Sequence, residues 1–426
     1  MFNGIMISFD QALAKILRHA TPLSRETVRL TDATGRFLAE SIIAAEAAPR
    51  FDQSNMDGFG VRLAEVRRAG RGSPIRLPVS QIVAAGGPMP SPLQKGTAVK
   101  VFTGAPLPRG VEAVIMKEFC VEQGAHVLVT GPVARDENIR RRGCEYARGA
   151  TLLKPGTPIT PPVAGLLASL GRTAVRVHIR PRVALVITGN ELATPGRTLR
   201  AGQVYESNSF ALASALQGLG LRPISSRRVR DNKTTLAVAL DHALGLADVV
   251  ITSGGVSVGE FDLVKEVAGE LGVRTGFWRA AIKPGMPVYF GIYRLEIPTK
   301  TATKRGDSGV RHKLVFGLPG NPVSALVVFH QLVQPALQQM MGQRAPQRLR
   351  LQARLATPLR HNPGRLEWVR GVLEIRESAL WVLPTPCRES HMLTGLANAR
   401  VLIEFPASAT TLCQGSTVWA EWLQWG

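Results

Sequence analysis

Three apolar runs in the middle of this chain each stop at a turn built from glycine, hydroxyl and acid or amide residues. That recurrence restricts the fold more than any other feature. Asp248 to Thr252 is a β-branched run that ends in Ser253, Gly254 and Gly255, with Ser257, Glu260 and Asp262 just beyond. Val183 to Ile187 ends in Thr188-Gly189-Asn190-Glu191-Leu192, and Leu314 to Gly317 leads into Leu318-Pro319-Gly320-Asn321-Pro322-Val323-Ser324. Runs of this kind read as buried strands. Glycine at their ends lets the backbone turn tightly and lets a ligand approach bare N–H groups. Hydroxyls and carboxylates at the same place suit an anion held together with a metal. A single turn like this is more often structural than functional. Their recurrence within a domain's length indicates a doubly wound α/β sheet with a binding crevice at the carboxyl ends of its strands.

The surrounding residues extend this reading. Pro322 suits the first turn of a helix that runs to Met341, with Asn321 as its cap. Asp231-Asn232 lies between two of the runs. Arg279 and Lys283 sit four apart ahead of Pro284-Gly285, and such cations suit phosphate or oxyanion binding. For any one basic residue in so basic a chain, a solvated charge is the commoner role. Upstream, Pro49 to Gly60, Thr103 to Gly110 with Glu118, and Asn138 to Glu145 mix acids, hydroxyls, arginines and glycines. By spacing alone these are loops with turn chemistry.

Taken in order, Ser54 to Gly60, Thr103 to Gly110 with Glu118, Asn138 to Gly143, Thr188 to Leu192, Tyr205 to Ser209, Ser253 to Asp262, Lys283 to Pro287 and Pro319 to Ser324 resemble the molybdopterin molybdenumtransferase family, which includes MoeA and the E domain of gephyrin. Each segment is weak alone, but the ordered set covers nearly the whole chain. The resemblance implies a multidomain α/β protein: an N-terminal region over 1–180, helical with an inserted β subdomain at about 50–145; a molybdopterin-binding α/β domain over 181–341; and a small C-terminal β barrel over 345–426. It also implies an elongated homodimer in which Asp57 and Thr103 act on the partner's site. The implied reaction inserts molybdenum from molybdate into adenylylated molybdopterin and releases AMP, with magnesium assisting. The implied catalytic set is Asp57, Thr103, Glu191, Asp231, Asp262 and Lys283. Glu191, Asp231 and Asp262, and Asp57 with them, are hard oxygen donors suited to magnesium or its waters. Ser253, Gly254, Gly255, Ser257, Arg279, Pro319, Gly320, Asn321, Ser324 and Arg140 are the implied contacts to pterin, phosphate or oxyanion. Molybdopterin adenylyltransferase and downstream molybdenum-cofactor proteins are the implied partners.

Several positions depart from the family pattern. Met286 stands where a second lysine is common, and losing one charge-assisted hydrogen bond costs about 1.5–3 kcal/mol of anion affinity. Cys144-Glu145 replaces an aspartate context, Glu206 stands for an aspartate before Ser-Asn-Ser, and Cys387 to His391 replaces a Gly-Ser pattern.

Composition limits the alternatives. The 426 residues are 45% apolar, enough for several domains with a large core. No stretch of about 18 consecutive apolar residues is present, so no membrane-spanning helix is expected. The N-terminus shows no secretory pattern. Cys120, Cys144, Cys387 and Cys413 are scattered without a Cys-x-x-Cys pair, which argues against a zinc site or disulfide framework and suits a cytoplasmic protein. The net charge of +21 raises nucleic-acid binding as a second function class. Its basic residues are dispersed, with Arg140 to Arg142 and Arg227 to Arg230 the densest runs, and no recognition motif accompanies them. A non-catalytic molybdopterin carrier or scaffold is the third class; the acids Asp57, Glu191 and Asp262 argue against it.

Along the chain, Ser8 and Gln11 form a capping box for a helix with Phe9, Leu13, Ile16 and Leu17 on its apolar face. Residues 75–130 read as all-β, with Val114 to Val121 and His126 to Val129 a hairpin around Gln123-Gly124. Lys154 to Pro162 reads as a linker, and Val163 to Leu170 as a short helix. Arg294 to His312 reads as a polar excursion between two strands.

Overall fold

The computed structural model describes residues 6–255, 263–296, 310–344, 348–387, 389–423 and 425. The chain forms two compact units, one from Met1–Glu40 with Pro155–Gly426 and one from Ser41–Lys154.

The larger unit is organised by a six-stranded sheet in the order Pro223–Val229, Val183–Thr188, Val249–Ser253, Val310–Leu318, Tyr289–Glu296, Val273–Trp278. The first four strands are parallel, and the last two each pair antiparallel to their neighbour. Every residue of Val183–Thr188 and Val249–Ser253 is buried, as expected for parallel strands covered on both faces. The period of two then divides the core. Val183, Leu185, Ile187, Val249, Ile251, Leu314 and Phe316 point to one face, where Leu212, Leu216, Val323 and Val327 pack with Phe9 and Ile16. Ala184, Val186, Val250 and Val315 point to the other, against Leu236, Leu240, Leu244, Val264 and Val267. Burying such a side chain is worth about 1.5–3 kcal/mol, so helices on both faces follow from the apolar content of the strands.

The N-terminal helix is Phe9–His19, with the Ser8–Gln11 capping box formed. Phe9, Ala12 and Ile16 are its buried residues, while Leu13 and Leu17 are only partly covered. The helix after Pro319–Asn321 runs as Pro322–Val328, a π turn Phe329–Val333, and Gln334–Met340. The wider turn accommodates Pro335, whose ring would crowd the preceding turn of a regular helix.

The C-terminal part closes on itself. Leu366–Arg376 pairs with Ala379–Pro384, which pairs with Arg350–Leu355, then Thr417–Trp422, then Val401–Phe405, which returns to Leu366–Arg376. Leu355, Val369, Val382, Val401, Ile403 and Phe405 fill this small barrel. Ile282–Lys283 from the α/β part adds to its edge, Ile282 opposite Leu366 and Lys283 opposite Glu367.

The smaller unit carries a six-stranded sheet of Ala113–Met116, Gly58–Val61, Ala98–Val101, Ile75–Val83, His126–Val129 and Cys120–Gln123. The hairpin around Gln123-Gly124 is present, but its first arm starts at Cys120: Lys117–Phe119 is a single 3-10 turn that breaks the expected strand from Val114. The helix expected from Val163 spans Pro161–Ser169, with proline in its first turn. Strands continue into the expected excursion, Arg294 opposite His312 and Leu295 opposite Arg311; residues 297–309 lie outside the described residues. No helix among the described residues is long and apolar enough to cross a membrane.

Candidate functional site

The strand ends open into two adjoining cavities in the larger unit, with Pro287, Pro319 and Asn321 on the wall of both.

The first, of about 640 Å³, is lined by Glu191, Glu206, Asp231, Gly254, Gly255, Pro319, Gly320 and Asn321, with Thr188, Tyr205, Asn208 and His391. The three strand ends read from the sequence contribute to it, joined by the end of Pro223–Val229 and by Val204 to Asn208. Gly254 has φ +91°, and a Cβ there would stand 2.3 Å from the Thr188 carbonyl oxygen, so only glycine lets these two turns approach. Asn208, the first residue of the helix Asn208–Gly218, ties the turns together. Its Nδ2 donates to Ser253 Oγ at 2.8 Å and to the Gly320 carbonyl at 2.7 Å. Ser253 Oγ donates in turn to the Pro319 carbonyl at 3.0 Å. The hydroxyl of Ser253 is therefore committed beneath the cavity and absent from its wall. Asn208 Oδ1 and Thr188 Oγ1 are buried with no hydrogen-bonding partner among the described residues. Buried polar atoms are seldom left unpaired, and both belong to residues of the cavity wall. The Asp231 backbone N–H donates to Asn190 Oδ1 at 3.2 Å, and Asn232 caps the helix Lys233–Leu246. Glu206 accepts from the Ser209 backbone at 2.7 Å and from its hydroxyl, so the longer acid still anchors this turn.

The second cavity, of about 400 Å³, is basic. Lys283, Arg360, Arg365 and Arg370 line it together with Met286, Ser324, Glu367, Glu389 and Ser390. Lys283 Nζ is 3.0 Å from Glu367 Oε1. Arg370 donates to the Cys387 carbonyl at 2.9 Å. Gly285 has φ +108°, and a Cβ there would fall 2.2 Å from Val328 Cγ2, so this glycine seats the Lys283 to Pro287 turn on the helix. Arg365 Nη1 lies 4.0 Å from Met286 Sδ, so a guanidinium faces this methionine. Asn321 occupies the N-cap position, yet its side chain makes no cap; Nδ2 donates to Ser390 Oγ at 2.9 Å.

Arg279 lines neither cavity. It has φ +86°, and its guanidinium stacks on Trp278 at 4.1 Å. Ser257 and Asp262, with Glu260, lie outside the described residues. Among the described residues no cluster of three or more His, Cys, Asp or Glu forms a metal site. Glu191 and Asp231 share one cavity wall, a pair of hard oxygen donors of the kind magnesium uses alongside water and substrate phosphate.

Asp57, Thr103 and Arg140 belong to the smaller unit. Asp57 Oδ1 accepts from both the backbone N–H and the hydroxyl of Thr103, each at 2.8 Å. The backbone bond first, and the hydroxyl second, hold the Asp57 carboxyl below the usual carboxylate range. Lys117 Nζ is 4.0 Å away. Arg140 donates to Asn55 Oδ1 at 3.1 Å.

Asn208, Arg360, Arg365, Arg370, Ser390 and His391 were not singled out as site residues by sequence reasoning. Ser390 and His391 fall in the Cys387 to His391 departure, while Arg360, Arg365 and Arg370 carry no local signal, because barrel closure brings them to the crevice from far along the chain.

Three family profiles match in the order of this architecture: the MoeA N-terminal region (domains I and II) over residues 7–171, a probable molybdopterin binding domain over 184–339, and the MoeA C-terminal region (domain IV) over 352–423. A molybdopterin molybdenumtransferase of Haemophilus influenzae is 34% identical over 420 residues, covering 98% of each chain. The chain belongs to the molybdopterin molybdenumtransferase family, a family of transferases. A Bacillus subtilis molybdopterin molybdenumtransferase is 31% identical over 97% of this chain and 93% of its own. A crystal structure of the molybdopterin biosynthesis MoeA protein of Pyrococcus horikoshii superposes with a TM-score of 0.80 at 27% identity, covering 98% of this chain and 100% of that one. In MoeA terms, the acidic cavity lies in the stretch matched by the molybdopterin-binding profile, apart from His391. The basic one is shared between that stretch and domain IV.

Proposed function

We propose that this protein inserts molybdenum from molybdate into adenylylated molybdopterin, hydrolysing the phosphoanhydride and releasing AMP, in the cytoplasmic pathway of molybdenum cofactor biosynthesis. The observation that carries the reading is the adjacency of an acidic and a basic cavity at the carboxyl ends of the sheet. A pterin phosphate substrate and an oxyanion donor need both kinds of wall.

The acidic cavity takes the pterin and its phosphates. The Gly254-Gly255 turn presents bare backbone to the phosphate, and the unpaired Thr188 Oγ1 and Asn208 Oδ1 take polar groups of the ligand. Glu191 and Asp231 would hold magnesium there. When bound, magnesium supplies neutralisation of the pyrophosphate charge and favours departure of AMP. The basic cavity takes molybdate, a dianion, through Lys283, Arg365 and Arg370, with Ser324 and Ser390 as hydroxyl donors. The low-pKa carboxylate of Asp57, with Thr103, completes the site in a homodimer. Mixed dimers of Asp57→Asn and Glu191→Gln protomers regain activity if that is so, and show none if each site is complete within one chain.

The deciding experiment is AMP release from adenylylated molybdopterin by purified protein, with molybdate and magnesium omitted in turn. Release that needs both, with formation of active cofactor, supports the reading. Tight substrate binding without AMP release under any oxyanion overturns it in favour of a carrier.

A further inference from the structure

The basic cavity contains a carboxylate that should repel an oxyanion. Glu367 lies between an ammonium and an imidazole: Oε1 is 3.0 Å from Lys283 Nζ, and Oε2 is 2.6 Å from His361 Nδ1. The His361 side chain is only 1% exposed. Its other ring nitrogen, Nε2, is 3.0 Å from the Arg365 carbonyl oxygen. Phe405 packs against the ring with centroids 5.1 Å apart.

Both ring nitrogens of His361 thus face oxygens that only accept. A neutral imidazole has a single N–H and would turn a lone pair against one of them; the imidazolium has a proton for each. The Nδ1 contact is close but off the direction of an aligned hydrogen bond. One carboxylate carries one negative charge. Shared with a buried imidazolium, Glu367 leaves the Lys283 ammonium, 47% exposed, with charge for the cavity. Without it, Glu367 and Lys283 cancel each other.

We propose that His361 is a positioning residue: a buried imidazolium that shares Glu367 with Lys283 and so keeps Lys283 available to an oxyanion. The inference rests on reading the basic cavity as the molybdate site. His361 touches no ligand itself and acts through Glu367.

The test measures equilibrium binding of molybdate to the full chain, alongside AMP release, in wild type, His361→Gln, Glu367→Gln and the double variant, each checked by thermal melting. His361→Gln weakens molybdate binding and raises its half-saturation about tenfold, the scale of one charge-assisted contact, with turnover at saturating molybdate unchanged. The double variant returns to near wild type, because the carboxylate that captures Lys283 is gone. Glu367→Gln alone binds at least as tightly as wild type, which keeps the test open if His361→Gln does not fold. Wild-type binding by His361→Gln, no recovery in the double variant, or weaker binding by Glu367→Gln overturns the role of His361 alone. Absence of molybdate binding in the wild type overturns the oxyanion reading and this inference with it.

Discussion

The two cavities share a wall but divide their charge. The one over the Gly254 turn has Glu191, Glu206 and Asp231 among its lining residues, while its neighbour has Lys283, Arg360, Arg365 and Arg370. Their origins differ as well. The acidic cavity is built from strand ends of one sheet with the Val204 to Asn208 segment, whereas the basic one needs the barrel strand Leu366–Arg376 alongside Ile282–Lys283. Opposite charges held in adjacent spaces let a cation and an oxyanion be bound close together without either site neutralising the other. The net charge of +21 does not describe this arrangement, since Glu191, Glu206 and Asp231 line the sheet-end crevice.

The largest effect expected follows from breaking the acidic side. Glu191→Gln should lower AMP release by roughly 10²–10³-fold, the range for losing a preorganised charge contact, while direct molybdate binding stays at the wild-type level. The basic side should fail differently. Lys283→Gln should weaken molybdate binding by roughly 10–100-fold, with turnover largely recovered at saturating molybdate. If both substitutions change the same parameter in steady-state titrations, the division between the cavities is wrong.

The acidic cavity was also the more legible in sequence, for a physical reason. Apolar runs, glycine turns and caps are local signals, and a doubly wound sheet converts them directly into a crevice at known ends of known strands. Glu191, Asp231, Gly254, Gly255, Pro319, Gly320 and Asn321 all reached one wall for that reason. Arg365, Arg370 and His361 carry no local signal. Their place depends on closure of the barrel and on the pairing of Lys283 with Glu367, residues far apart in the chain. Direction was illegible too. Arg279 suited an anion by type and spacing, but its left-handed backbone turns the guanidinium onto Trp278. Ser253 suited a ligand hydroxyl, yet the burial of its strand end commits it to the Pro319 carbonyl.

Asn208 tests whether the acidic wall is a rigid assembly of its turns. Its amide joins Ser253 and Gly320, so Asn208→Ala leaves a buried hydroxyl and a carbonyl short of a donor. About 1–3 kcal/mol of stability should be lost, read as a lower melting temperature. Molybdate binding in the neighbouring cavity should weaken less than substrate binding, since Lys283 and Arg365 are held by other contacts. Equal loss in both titrations would mean that the shared residues Pro319 and Asn321 couple the two spaces.

The smallest effect concerns the third group of charges, in the smaller unit, where a carboxylate is held by neighbours of its own. Thr103→Val removes the hydroxyl bond to Asp57 and keeps the larger backbone bond. The Asp57 carboxyl should therefore titrate higher in the variant, while remaining below the usual range. The sign follows from linkage: a carboxyl depressed in the folded state adds stability above its unfolded-state pKa and loses it as pH falls through the lower folded value. The variant should depend less on pH in acid, and at neutral pH the carboxylate remains ionised. A carboxyl-carbon titration by NMR reads the change directly. An unmoved Asp57 midpoint would show that the backbone N–H alone sets its acidity, and would leave the Thr103 hydroxyl free to serve a ligand.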